Sequence, residues 1–209
     1  MRIIKIILAA LFIMIAAGAA TYYYFTRGLP SLETLHDYHP NLVTKVYSHD
    51  NRIIGEFYIE RRIVVPFERV PKHLVQAFVA AEDSKFFEHD GISYSSIIRA
   101  MLKNMTAGRV VQGGSTITQQ VAKSFFLTPE RKISRKIREA IMAFRIEKNL
   151  NKEEILHLYL NQIYFGNGAY GVQTAAETYF GKNVSELTVA EAALLAGLPK
   201  APSKYSPHE

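Results

Sequence analysis

Sorted into apolar and polar positions, the chain divides into an uncharged apolar run, a short stretch rich in β-branched residues and a succession of helical repeats. From Ile6 to Phe25 there is no charged residue, and at about 1.5 Å of rise per residue such a run crosses the ~30 Å hydrocarbon layer of a bilayer. The pattern predicts a transmembrane helix over 6–25, behind a cytoplasmic N-terminus of residues 1–5. Arg2 and Lys5 precede the run and Arg27 alone follows it closely, so the positive-inside bias puts everything downstream on the outer face. Tyr22, Tyr23 and Tyr24 then fall at the outer interface, where amphipathic rings settle. Ala16, Ala17, Gly18, Ala19 and Ala20 also offer small residues to a signal peptidase; the length of the run favours an uncleaved anchor.

Residues 26–42, with Gly28, Pro30 and Pro40 and little periodicity, read as a connector. Val43 to Val65 is rich in β-branched and aromatic residues. Ser48, His49, Asp50 and Asn51 make a turn between two strands, and a third strand is expected at Ile63 to Val65. After Pro71, Leu74, Val75, Phe78 and Ala81 recur at helical spacing, so that Glu82 ends an amphipathic helix. A second helix is expected from about Tyr94 to Met105, followed by a loop holding Gly108, Gly113 and Gly114. Thr116 with Gln119, Asn151 with Glu154 and Thr188 with Glu191 each have capping-box spacing ahead of a further helix. Between them, Ile133, Ile137, Ile141 and Phe144 form the expected buried stripe of another. Gly197 and Pro199 stop the last. The expected architecture is one mainly α domain over 43–209 with a small N-terminal β element.

The 209 residues, 48% of them apolar, suffice for one catalytic-sized core. The absence of cysteine excludes disulfides, zinc-thiolate sites and thiol nucleophiles. The net charge of +6 is concentrated between Lys123 and Lys148, where Arg131, Lys132, Arg135, Lys136, Arg138 and Arg145 also lie, against Glu130, Glu139 and Glu147. Such a stripe suits phosphates, anionic headgroups or nucleic acid. The anchor and outward topology argue against nucleic acid.

Three polar clusters carry the candidate chemistry. Glu82 sits where a helix gives way to a loop, a rigid place from which a carboxylate can face a cleft as a general base. Gly113 and Gly114 before Ser115 and Thr116 let the backbone come close to a ligand, and a helix start attracts anionic oxygens. Gln119, Gln120 and Lys123 add donors on the following turns. Arg135 and Glu139, four apart, share a helix face set apart from the apolar stripe. Each cluster singly also has a structural explanation: a solvated helix end, a turn with its cap, a surface ion pair. Glu154 and His157 could put two ligands on one helix face, yet a helix-start glutamate and a surface histidine explain them with less.

In order, the clusters resemble the glycosyltransferase domain of class A penicillin-binding proteins, the peptidoglycan glycosyltransferases of family 51. Glu82, Asp83, Phe86, His89 and Gly91 complete the family's first motif. Gly113, Gly114, Ser115, Thr116, Thr118, Gln119 and Gln120 with Lys123 complete the second, and Arg135, Lys136 and Glu139 the third. Lys152, Ile155, Leu156, Tyr159, Leu160 and Asn161 match the fourth, in which His157 replaces the usual glutamate. Glu191 to Pro199, with Pro202, is similar to the fifth. The resemblance covers roughly 43–207.

It implies a lysozyme-like, α-rich fold that polymerises lipid II, a disaccharide-pentapeptide on an undecaprenyl diphosphate. Glu82 would take the proton from the acceptor 4-hydroxyl, with inversion at the donor anomeric carbon. Glu139, Lys136, Arg135 and Lys123 would organise the departing diphosphate. Asp83, Phe86, His89, Gly113, Gly114, Ser115, Thr116, Thr118, Gln119, Gln120 and Asn161 would complete the substrate site. A divalent cation, magnesium or manganese, is a further expectation, with Glu139 its candidate ligand. The implied location is the outer, periplasmic face of a bacterial cytoplasmic membrane, with lipid II, the lipid-linked glycan and wall-synthesis proteins as partners. An apolar jaw dipping into the membrane would draw on Met101, Leu102, Met105, Val110, Val111, Phe125 and Phe126. The rivals are a lytic enzyme that cuts glycan and a non-catalytic anchored scaffold. Neither Ser-x-x-Lys nor Lys-Thr-Gly occurs, and the chain stops soon after the fifth motif. It is therefore a piece of a bifunctional protein or a monofunctional enzyme, and the Val43 to Val65 segment favours the first.

Overall fold

The computed structural model describes residues 2–32, 44–58, 60–127 and 132–206. Met1, residues 33–42 of the expected 26–42 connector, Val43, the charged pair Glu130 and Arg131, and Pro207, His208 and Glu209 lie outside the described residues. Helix α1, Arg2–Thr26, is continuous and exposed along its described side chains, and by length and composition it can cross a membrane. Strands β1, Thr44–Tyr47, and β2, Ile53–Phe57, pair antiparallel around the expected turn, where Asn51 takes a left-handed conformation with φ of 60°.

The third strand is displaced from its expected place. β3 is Arg61–Arg62, and it pairs in parallel with β4, Ala169–Tyr170. Over Ile63 to Val65 side chains satisfy the backbone in place of a neighbouring strand. Ile63 N–H donates to Thr174 Oγ1 at 3.0 Å, and Val65 N–H donates to Asn161 Oδ1 at 2.9 Å. Asn161 Nδ2 returns a bond to Val65 O at 3.0 Å. A buried carboxamide can answer one residue's donor and acceptor together, which removes the need for a ladder.

The helices are α2, Lys72–Glu82; α3, Tyr94–Ala107; α4, Ile117–Phe126; α5, Ile133–Asn149; α6, Lys152–Gln162; α7, Val172–Phe180; α8, Val189–Gly197; and α9, Pro202–Tyr205. Capping boxes form at Thr116, Asn151 and Thr188. Helix α3 is capped by Ser93 and ends at Gly108, whose φ of 62° suits a residue without a Cβ. Helix α7, which no cap announces, starts from Gly171 at a φ of 78°. A side chain there would also press on the Asn161 carbonyl, 2.8 Å away.

The expected stripe on α5 is wrong by a rotation. Ile133, Ile137 and Phe144 are exposed, whereas Glu139, Met142, Ala143 and Ile146 are buried. The Glu139 carboxylate turns into the protein, and Ile133 and Ile137 stay outside. Lys148 Nζ covers the outward Phe144 ring at 4.6 Å.

The core lies between α2, α4, α6, α7 and α8, with α2 packed along α8 and α4 against α5 and α6. At its centre Phe78 meets Tyr159 and Phe165 edge-on, with ring centroids 6.0 and 5.8 Å apart. Phe78 has no exposed surface. Its replacement by alanine removes a ring that two others pack on, so Phe78→Ala is expected to lower unfolding free energy by about 3–5 kcal/mol in a denaturant titration.

Candidate active site

The site begins where α2 ends. Glu82 is the last helical residue, and Asp83, buried, leaves the helix with φ of −156° and ψ of 75° and sends its carboxylate across to α4. Asp83 Oδ2 accepts from Ile117 N–H, at the first turn of α4, at 3.1 Å. The same oxygen lies 2.9 Å from His89 Nε2. Gly91 N–H donates to His89 Nδ1 at 3.1 Å, so Nδ1 is the unprotonated nitrogen and Nε2–H donates to Asp83. Gly91 holds a φ of 92°, and a Cβ there would sit 2.9 Å from the Ala143 carbonyl. Thr116 Oγ1 donates to Gly91 O at 2.6 Å. The first loop and the start of α4 are thus bonded at both ends.

One turn into α4 the chemistry surfaces. Gln120 Nε2 donates to Glu82 Oε2 at 2.7 Å, fixing one carboxylate oxygen. Tyr159 lies beneath them, its hydroxyl buried without a hydrogen-bond partner among the described residues. Burial first, and then the negative charge of Glu82, push its ionisation well above the ordinary tyrosine range, so the phenol stays neutral.

A second network supports the loop from below. Glu147 accepts from Thr118 Oγ1 at 2.6 Å and pairs with Lys152 Nζ at 2.8 Å. Lys152 Nζ also donates to His89 O at 2.6 Å and sits 4.5 Å from the centre of the buried Phe86 ring.

A cleft of about 790 Å³ opens above Glu82, lined by Asp83, Ser84, Gln112, Gly113, Gly114, Ser115, Gln120, Lys123, Arg99, Lys103 and Lys200 among others. On α5, Arg135 Nη1 bonds Glu139 Oε2 at 2.7 Å, and Lys136 Nζ bonds Glu139 Oε1. Lys136 Nζ also donates to Ser115 Oγ at 2.8 Å, which links the buried Glu139 and its cations to the cleft wall.

Of the residues singled out from the sequence, Glu82, Asp83, Gly113, Gly114, Ser115, Gln120 and Lys123 line the cleft. Arg135, Lys136 and Glu139 join it through Ser115. Phe86, His89, Thr116, Thr118 and Gln119 lie outside the lining and hold its loops and helix starts, Gln119 by accepting from Thr116 N–H at 3.0 Å. Asn161, expected at the substrate, is fully buried, and its amide is spent on Val65 and the His157 carbonyl. The close approach that Gly114 permits is to the protein itself, since a Cβ would lie 3.0 Å from Ile97 Cα, whereas Gly113 faces open space.

Arg99, Lys103 and Lys200 were not singled out because they lie outside the basic segment between Lys123 and Lys148. The four-residue spacing of Arg99 and Lys103 on one predicted helix was the available signal. Of the expected jaw residues, Met101, Leu102, Met105, Val110 and Val111 are exposed, and Phe125 and Phe126 pack on the core. Both oxygens of Glu139 are taken by cations, and among the described residues no three His, Cys, Asp or Glu side chains converge on a point. Glu154 accepts from Asn151 N–H at 2.7 Å as a helix cap.

A family model described as Transglycosylase matches residues 50–209. Penicillin-binding protein 1A of Aquifex aeolicus is 51% identical over 181 residues, 87% of this chain and 25% of that protein. Penicillin-binding protein 1A of Escherichia coli is 46% identical over 211 residues, 99% of this chain and 25% of that protein. The chain therefore spans about a quarter of the length of these curated relatives. The crystal structure of penicillin-binding protein 1A from Haemophilus influenzae covers 79% of this chain and 15% of its own, at 28% identity and a TM-score of 0.38.

Asp83 answers two buried donors at once. Asp83→Ala is expected to lower unfolding free energy by about 2–3 kcal/mol, and Asp83→Asn by less, as read from thermal or denaturant melts.

Proposed function

The chain belongs to the transglycosylase family, and from that premise we propose that it is a peptidoglycan glycosyltransferase that polymerises lipid II at a membrane surface. The observation that carries the reading is the single cleft in which a carboxylate held by Gln120 shares walls with Lys123 and with the serine bonded to Lys136. An acid and a set of cations on one cavity suit a reaction in which a hydroxyl must lose a proton while an anionic group departs.

Glu82 acts as general base. Gln120 occupies one of its oxygens and leaves the other for the acceptor 4-hydroxyl, whose oxygen attacks the donor anomeric carbon from the face opposite the diphosphate. The carbon–oxygen bond to the diphosphate breaks as the glycosidic bond forms, so configuration inverts and the electron pair leaves with undecaprenyl diphosphate. The division of labour parallels inverting glycosidases, with a sugar hydroxyl in place of water. Lys123 and Lys136 compensate the charge that develops on the leaving group. Glu139 acts as a positioning residue: it orients Arg135 and Lys136 by salt bridges to both. Charge compensation is thus assigned to side chains.

A lytic enzyme would need the acid but no cationic wall, and on this ground synthesis is preferred to cleavage. The anchor reading is supported by α1 and by the exposed apolar face of α3. In this reading α1 spans the cytoplasmic membrane and the catalytic domain works on its outer, periplasmic side.

Purified protein given lipid II is expected to make glycan polymer and to leave preformed glycan uncut. Glu82→Gln is expected to abolish product, by at least about a thousandfold for loss of a general base. Glu139→Gln is expected to retain only a trace. Full activity in Glu82→Gln protein would refute the assignment.

A further inference from the structure

The cleft has a wall that the reaction as described does not use. Arg99 and Lys103 lie four residues apart on α3 and both line the cavity. At about 100° of rotation per residue they share a face with Ser96, nearly opposite the face of Met101, Met105 and Ile98. Ser96, buried at the back of the cleft, accepts from Arg99 Nη2 at 3.2 Å and turns the guanidinium along the wall. Among the described residues neither Arg99 nor Lys103 has an acidic partner.

The wall is also held in place. Asn104 Oδ1 accepts from Val111 N–H at 2.8 Å and from Gln112 N–H at 3.0 Å, and Asn104 Nδ2 donates to Gln112 O at 3.0 Å. Gly114 rests on Ile97 and Ser96. These contacts fasten the glycine loop to α3, so the two cations stand at a set distance from Ser115 and from the cavity that Glu82 faces. Of the two carboxylates in that cavity, Asp83 is already engaged by His89 and α4. Cations without counter-charge on a concave wall attract an anion.

We propose that Arg99 and Lys103 form an anion subsite that binds a charged part of the incoming glycolipid away from the reacting carbon. This deepens the proposed function and rests on it. The ligand chemistry is a carboxylate or a diphosphate oxygen, and the substrate offers both, in its peptide branch and in its lipid linkage. The membrane is the less favoured occupant, because the exposed apolar face of α3 and this cationic face point in different directions.

The test uses the full chain in neutral phosphatidylcholine vesicles, comparing wild type with Arg99→Ala/Lys103→Ala on lipid II and on lipid II whose peptide carboxylates are amidated. On lipid II the double variant is expected to raise KM about tenfold, with kcat within about twofold, since binding is lost and the reacting groups are untouched. Arg99→Lys/Lys103→Arg, which keeps both charges, is expected to restore most of it. The difference should shrink as salt is added. If it vanishes on the amidated substrate, the peptide carboxylates are the ligand; if it persists, the diphosphate is. An unchanged KM on both substrates would overturn the subsite. So would a defect that requires anionic lipid in the vesicle. Binding of lipid II to the same variants in a Glu82→Gln background, followed by fluorescence, separates the two claims. If lipid II binds through this wall but the protein with Glu82 intact makes no polymer, the proposed function fails and the subsite stands.

Discussion

A single buried carboxylate oxygen sets the geometry of this molecule. Asp83 stands at the end of one helix and receives the first free N–H of another, so a negative charge meets the positive end of the α4 dipole with water excluded. It also receives the proton of His89. Glu82 is carried on the first helix and Gln120 on the second. Their 2.7 Å contact therefore depends on a bond made one residue away from the acid.

The rest of the site reads as reinforcement of that joint. Thr116 closes the start of α4 onto Gly91, and Gly91 can be there only because it has no side chain to meet Ala143. Lys152 holds the same loop by the His89 carbonyl and is itself neutralised by Glu147. Such ion pairs contribute little net stability when buried, but removing one member strands the other. Their value lies in fixing the backbone of the loop on either side of the buried Phe86 ring.

How far the sequence disclosed all this varied with the kind of signal. The capping boxes at Thr116, Asn151 and Thr188 were plain, because each reports a bond closed within one helical turn. The end of α2 at Glu82 was equally plain from apolar spacing. The facing of α5 was misread, since apolar periodicity assumes that isoleucine goes in and glutamate stays out. Here Glu139 is drawn inward by two cations of its own helix, and Ile133 and Ile137 are left at the surface. Helix α7 carried no legible period because it is buried on most sides, from Val172 to Tyr179. The two-residue strands β3 and β4 are too short to leave any alternation. Asn161 shows the reverse difficulty: it stands among motif residues, yet what it touches is decided by a segment almost a hundred positions away.

Gly114 has one more consequence. With its missing Cβ only 3.0 Å from a helix backbone, it acts as a gauge for the width of the groove. Even a methyl group would need α3 or the loop to give by a few tenths of an ångström, changing the spacing between Gly114 and the wall of Arg99 and Lys103. The calibre of the groove is thus set by an atom that is not there.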